Sequence, residues 1–187
     1  MIPTPIPGLC EAASSRREPQ ASSSLSQRIA AYWDKRAGAF LETRMQEHQS
    51  PRSALWLSEI TPELPRSSRP LRVLDAGTGT GYLALLLAGL GHYATGIDLS
   101  SRMIAEARSV AEFLAIPAAF RFMDAQATSF ESASFDAIVT RNLVWTLPDP
   151  LAAYREWLRI LRPGGSLIVF DADYGRVSFS QQARELE

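Results

Sequence analysis

From Leu71 onward, apolar residues come as short continuous runs separated by stretches in which they recur every three or four positions. Continuous runs of four to eight residues mark strands covered on both faces, and the wider spacing marks helices lying on them. This predicts strands at Leu71–Asp75, Tyr93–Ile97, Ala118–Met123, Phe135–Thr140 and Ser166–Phe170, with helices at Gly81–Leu90, Ser100–Leu114 and Pro150–Leu161. The segment Ala137-Ile138-Val139 carries no polar alternation, as expected in the middle of a parallel sheet. Asp149 with Pro150 supplies an N-cap and a first-turn proline, and Pro163-Gly164-Gly165 supplies a stop. Strands alternating with helices in this way define an α/β, Rossmann-like, doubly wound and mainly parallel sheet with helices on both faces.

The N-terminal part reads differently. Ser26 can cap a helix whose apolar positions Ile29, Tyr32, Trp33, Ala37, Phe40 and Leu41 fall on one face. A second helix, Ser53–Ile60, follows Pro51, and then Pro62, Pro65 and Pro70 with Ser67 and Ser68 make a linker. Residues 1–24 are dominated by Pro, Ser, Ala and Arg without periodicity, a composition that cannot repay its ordering entropy. The expected organisation is a flexible tail over 1–24, a helical cap and linker over 25–70, and a core over 71–187.

Composition narrows the picture. With 187 residues against about 150 per domain, one domain is expected. Hydrophobic residues at 46% and charged residues at 21% suffice for a buried core. Lys+Arg 19 against Asp+Glu 20, with no long basic run, lacks the footprint of a nucleic-acid binder. Cys10 is the one cysteine, so neither an intrachain disulfide nor a cysteine-based metal cluster is expected, and no metal site is predicted. The longest mostly apolar run, Tyr82–Leu90, is far short of the roughly 18 residues of a membrane-spanning helix. Pro3, Pro5 and Pro7 interrupt the start where an export signal needs an apolar stretch. A cytoplasmic protein acting on a small molecule, with no nucleic-acid or membrane partner, is the expectation.

The strongest chemical signal is Val73-Leu74-Asp75-Ala76-Gly77-Thr78-Gly79-Thr80-Gly81-Tyr82, a strand running into three alternating glycines and a helix. Glycines there let the backbone turn sharply and come close to a nucleotide-like ligand. A dinucleotide fingerprint, G-x-G-x-x-G, would place its third glycine where Tyr82 stands, which counts against a nicotinamide cofactor. Asp75 puts a carboxylate at the strand end, better suited to an ammonium or sulfonium than to a pyrophosphate. Asp98 lies 21 residues beyond Gly77, near the distance of about 20 at which an acid holds ribose hydroxyls. Its other reading is a cap for the helix near Ser100, a task that Ser100 itself can perform. Asp124, after the third strand, could accept from an exocyclic adenine amine. Ligands of open α/β sheets bind outside the carboxyl ends of the strands, where all three acids fall.

The series Asp75-Ala76-Gly77-Thr78-Gly79-Thr80-Gly81, Gly96-Ile97-Asp98-Leu99-Ser100, Asp124-Ala125, Phe135-Asp136-Ala137-Ile138-Val139 and Leu161-Arg162-Pro163-Gly164-Gly165 resembles the ordered motifs of class I S-adenosylmethionine-dependent methyltransferases, over about Leu71–Asp171. The resemblance implies S-adenosyl-L-methionine as cofactor. It places Asp75 and the glycine loop beside the methionine part, Asp98 on the ribose and Asp124-Ala125 at the adenine. The Tyr32-Trp33-Asp34-Lys35-Arg36 segment resembles the N-terminal cap of small-molecule members, ordinary amphipathic packing being the alternative. The implied cofactor-binding set is Tyr32, Asp75, Ala76, Gly77, Thr78, Gly79, Gly81, Asp98, Leu99, Met103, Asp124, Ala125, Arg141 and Asn142.

Methyl transfer is an in-line displacement, so alignment and a dry site matter most and a base is optional. After the fourth strand the chain reads Thr140-Arg141-Asn142-Leu143-Val144-Trp145, not the Asn-Pro-Pro-aromatic sequence that aligns amines of adenine or glutamine in relatives. Arg141, Asn142 and Trp145 are expected to border cofactor or acceptor, or to brace the loop. His48, Asp171 and Asp173 are candidate bases, and His92 is expected to be structural. The family fold ends with two further strands, and the residues after Phe170 are too few for them. The expectation is therefore a chain cut short at its C-terminus, with an open sheet edge at the fifth strand able to pair with another copy. A cofactor- or partner-binding chain without turnover is one alternative, and a nicotinamide oxidoreductase a more distant one.

Overall fold

The computed structural model describes residues 20–38, 46–48 and 50–172. Residues 1–19, Phe40, Leu41 and Asp173 lie outside the described residues. Helix α1 spans Gln20–Asp34, so it starts before Ser26, which sits inside it and does not cap it. Pro19 is the last helix-breaking residue upstream, and nothing between it and Ile29 opposes a helix. The single helix expected through Leu41 stops at a turn over Lys35 and Arg36, where the Arg36 amide donates to Trp33 O at 2.9 Å. Residues 37–38 and 46–48 are again helical. Helix α2, Arg52–Ile60, runs into a 3-10 turn at Thr61–Glu63, forced by Pro62.

The core follows as β1 (Arg72–Ala76), α3 (Tyr82–Gly89), β2 (Tyr93–Asp98), α4 (Ser101–Leu114), β3 (Ala119–Phe122), β4 (Phe135–Arg141), α5 (Pro150–Ile160) and β5 (Leu161–Phe170). The strands form one five-stranded sheet in the order β3-β2-β1-β4-β5. Every neighbouring pair is parallel. The order reverses between β1 and β4, which opens a crevice above their carboxyl ends.

Successive residues of the central strands serve opposite faces. Val73, Ala137 and Val139 pack with α2, α3 and α4, whereas Leu74 and Ile138 pack with Trp157 and Ile160 of α5. Both faces are thus covered, which is why the strands read as unbroken apolar runs. Strand β3 is the exception: only Phe120 is buried, and Phe122 is exposed, as suits an edge.

The Pro163-Gly164-Gly165 stop acts within a strand and not before one. Phe135 pairs with Leu161 but Ala137 pairs with Ser166, so residues 162–165 bulge opposite Asp136. A Cβ on Gly165 would stand 2.7 Å from Asp136 O, so no other residue fits there without a shift. Beneath this bulge Asp136 accepts from both Arg69 nitrogens (3.1 and 2.8 Å), from the Arg72 amide (2.8 Å) and from Arg162 (2.6 Å). Close by at the same end of the sheet, His92 Nδ1 accepts from the Leu71 amide at 3.2 Å, a structural role as expected. No described helix is long and apolar enough to cross a membrane, and no described cluster could hold a metal ion.

Candidate functional site

Above the carboxyl ends of the strands lies a cleft of about 400 Å³. Its floor is the turn between β1 and α3, where Gly77, Gly79 and Gly81 all have positive φ (70°, 55° and 89°). Two of them are fixed by packing: a Cβ on Gly77 would stand 2.7 Å from Leu143, and one on Gly81 2.8 Å from Phe120. Gly79 differs, because a Cβ there would meet nothing within 4 Å. Its open side is the cleft, so this glycine keeps space for a ligand.

Asp75 is almost wholly buried beneath the turn. Its Oδ2 accepts from the Thr78 hydroxyl at 2.6 Å and from the Ala84 amide at 3.0 Å, while Oδ1 accepts from no described residue. Burial pushes its carboxyl up to about 6, against the two hydrogen bonds and the nearby charge of Arg141. A positive charge placed at Oδ1 would favour the ionised form.

Asp98 ends β2. Its Oδ2 accepts from the Gly79 amide at 2.9 Å and Oδ1 from the Ser100 amide at 2.8 Å, so it holds the glycine turn against the start of α4. Burial raises its carboxyl above the usual range despite these bonds. Each oxygen keeps a second lone pair for a hydroxyl. Ser100, not Asp98, caps α4, accepting from the Met103 amide at 3.0 Å. The Ser100 hydroxyl donates to Asp34 at 2.5 Å, which ties the end of α1 to the same corner.

Asp124 follows β3 and is engaged by its own loop: the Gln126 amide donates to Oδ1 at 2.8 Å and the Gln126 side chain adds a second contact. Gln126 Oε1 in turn accepts from the Asp149 amide at 2.8 Å, joining this loop to the cap of α5. The neighbouring Ala125 carbonyl accepts from Trp157 Nε1 at 3.0 Å, so the wall is anchored in the core.

The roof comes from the N-terminal part. Tyr32, Trp33 and Arg36 line the cleft, with the Arg36 guanidinium 3.6 Å from the Tyr32 ring centre. Arg141, at the end of β4, grips Glu47 through both terminal nitrogens (2.9 and 3.3 Å) and lies over the rings of Trp56 (4.7 Å) and Tyr82 (4.8 Å). Glu47 also accepts from Trp56 Nε1 at 2.9 Å. Arg141 therefore both borders the cleft and braces the cap. Asn142 takes the left-handed conformation that Asn tolerates (φ 56°), and its amide donates to Phe170 O at 2.8 Å.

Of the expected cofactor-binding residues, Tyr32, Asp75, Gly77, Thr78, Gly79, Asp98, Leu99, Met103, Asp124, Ala125, Arg141 and Asn142 line this one cleft. Ala76 and Gly81 do not: Ala76 is buried in β1, and Gly81 faces Phe120 and Ala107. His48 meets Tyr82 in a tilted ring contact, 4.5 Å between ring centres, and is not among the lining residues. Asp171 is outside the lining too, its carboxylate accepting from the Trp145 amide at 3.3 Å, and Asp173 is outside the described residues. Sequence reasoning missed Glu47, Thr80 and Gln126. A long-range pair such as Glu47 with Arg141 has no local signal, whereas Gln126, two residues beyond Asp124, could have been read as an Asx-turn partner.

The profile of the methyltransferase domain family matches residues 74–169, and the chain belongs to that family. The phosphatidylethanolamine N-methyltransferase of Cereibacter sphaeroides is 34% identical over 122 residues, covering 63% of this chain and 60% of that protein. The ubiquinone biosynthesis O-methyltransferase of Methylocella silvestris is 38% identical over 112 residues, covering 60% of this chain and 43% of that one. The chain thus spans about half the length of these curated relatives. Among solved structures, the [4+2]-cyclase SpnF is similar with a TM-score of 0.56 and 32% identity, covering 60% of this chain and 43% of that chain.

Proposed function

We propose that the protein binds S-adenosyl-L-methionine in this cleft and moves its methyl group to a small-molecule acceptor. The observation that carries the reading is the convergence of three strand-end acids and the open face of Gly79 on one cleft. Asp75 receives the ammonium of the methionine part, Asp98 the two ribose hydroxyls, and Asp124 with the Ala125 backbone the adenine. Leu99 and Met103 flank the nucleoside, and Tyr32 covers it from the cap.

When bound, the cofactor supplies a methyl group on a cationic sulfonium. The chain's own part is alignment and exclusion of water. Leu143, Trp145 and Leu147 give the acceptor side of the cleft an apolar lining, consistent with the lipid-type names of the two curated relatives. No residue is assigned as a base; Asp171, next to Trp145, stands nearest to such a role. The reading includes a cytoplasmic setting. It also includes pairing of two copies along β5, which among the described residues has a neighbouring strand on one side and leaves Leu167 and Val169 partly exposed.

Thermal unfolding with added ligand tests the reading. Saturating S-adenosylmethionine at 100 times its Kd should add about 2.7 kcal/mol, a rise of roughly 5–10 °C for a chain of this size. NAD should add nothing. A rise with NAD alone would overturn the reading, and isotope transfer from labelled S-adenosylmethionine to a panel of phenols, amines and lipids then tests turnover.

A further inference from the structure

Three of the four crossovers in the sheet run through a helix, α3, α4 or α5, but the one from β3 to β4, residues 123–134, contains none. The α5 face of the sheet is correspondingly open at the amino ends of β1 and β2. A groove of about 540 Å³ lies there, lined by Arg69, Pro70, Arg72, Tyr93, Thr95 and Phe135. Arg72 and Tyr93 are register partners and Thr95 is the partner of Leu74, so all three side chains leave the sheet on the face of Leu74. The groove has the size of a small-ligand site, and its lining combines rings and a proline with a few polar groups.

Charge decides the sign of the ligand. Arg69 and Arg162 both pair with Asp136, whereas Arg72 gives Asp136 only its backbone amide. The Arg72 guanidinium has no hydrogen bond, ion pair or ring contact among the described residues. Three guanidinium groups thus stand against one carboxylate at this end of the sheet. Arg69 is held by Asp136 and by the Pro70 carbonyl, yet keeps its Nε hydrogen and one on its second terminal nitrogen. Beside them the Tyr93 ring is 67% exposed, and the Thr95 hydroxyl donates to no described residue.

We propose that this groove is a second ligand site, for a small molecule that joins an anionic group, phosphate or carboxylate, to a flat ring. Arg72 holds the anion with the spare donors of Arg69 and the Thr95 hydroxyl, and Tyr93 stacks on the ring. The groove lies at the amino ends of the strands and the cleft at their carboxyl ends, so the proposal does not depend on what the cleft binds.

The test is an NMR titration of the full chain with phenyl phosphate and benzoate, each beside its ring-free counterpart, inorganic phosphate or acetate. At least one ring-bearing anion should move the amides of Arg72, Tyr93 and Thr95 saturably and bind threefold or more tighter than its counterpart. Whether phenyl phosphate or benzoate binds more tightly identifies the anion. Arg72→Gln should weaken that binding fivefold or more, and Tyr93→Leu should bring the ring-bearing anion down to the level of its counterpart. Saturation with S-adenosylhomocysteine should leave the titration unchanged. No saturable shift in the groove at millimolar ligand, shifts confined to the Gly79 and Asp98 amides of the cleft, or full binding by a folded Arg72→Gln would each overturn the proposal.

Discussion

Asp75 and Asp136 sit on adjacent strands, both buried, at opposite ends of one sheet, and they are opposite kinds of acid. Burial alone would raise Asp136, but Arg69, the Arg72 amide and Arg162 outweigh it and hold its carboxyl well below the usual range. Asp75 has one hydroxyl and one amide for partners and is pushed up to about 6. The protein completes the charge at the lower end and leaves it incomplete at the upper. A buried acid whose partners are all supplied by the chain holds the fold, and one pushed up by burial in a cleft is a candidate for binding a ligand's positive group.

The comparison can be broken by exchanging what each end depends on. The largest expected effect is at the satisfied end: Asp136→Asn should destabilise by about 2–3 kcal/mol, at the low side for a buried pair because Arg69 is more than half exposed. Affinity for S-adenosylhomocysteine should stay within twofold, and denaturant unfolding with calorimetry checks both. Glycine substitutions in the turn sharpen the contrast. Gly81→Ala should cost about 2 kcal/mol, from a φ of 89° and the contact with Phe120, whereas Gly79→Ala, strained but unobstructed, should cost about 1 kcal/mol and instead weaken ligand binding tenfold or more.

At the unsatisfied end the pH dependence has a definite sign. The folded carboxyl of Asp75 lies above its unfolded value, so the ionised form is held at a cost that disappears as pH falls through about 6 toward 4. Asp75→Asn should therefore be more stable than wild type at pH 8 by about 1–2 kcal/mol, and the two should converge near pH 4. Asp136 runs the other way, its contribution being present above the unfolded value and lost in stronger acid. Binding of a cationic ligand to wild type should weaken below about pH 6, and Asp75→Asn should bind weakly without that dependence. The smallest effect is expected for Gln126→Ala, which frees the Asp149 amide and loosens Asp124: about 1 kcal/mol in stability and a few-fold in affinity.

The sheet was legible because its strands are covered on both faces, so Val73-Leu74 and Ala137-Ile138-Val139 appear as unbroken apolar runs. The acids were legible because strand ends in such a sheet have one side to face. Element limits were less so. The start of α1 lies upstream of Ser26 because serine and alanine after Pro19 permit a helix that no cap announces. The Pro163-Gly164-Gly165 bulge reads locally as a stop, and only the Asp136 carbonyl beneath Gly165 shows why the strand passes through it. Arg141 was found but not its partner, since Glu47 lies 94 residues away in the chain. Thr80 could not be singled out, because Thr78 is the same residue in the same turn and only folding gives one a partner and leaves the other without one among the described residues.

The central claim is that the cleft above β1 and β2 is a nucleoside site organised by Asp98. It is tested most directly by calorimetric titration of S-adenosylhomocysteine into wild type and Asp98→Ala. Saturable binding by wild type, weakened at least tenfold or about 1.4 kcal/mol by the substitution, is the predicted result. No binding by a folded wild-type chain, or equal binding by both, would contradict it.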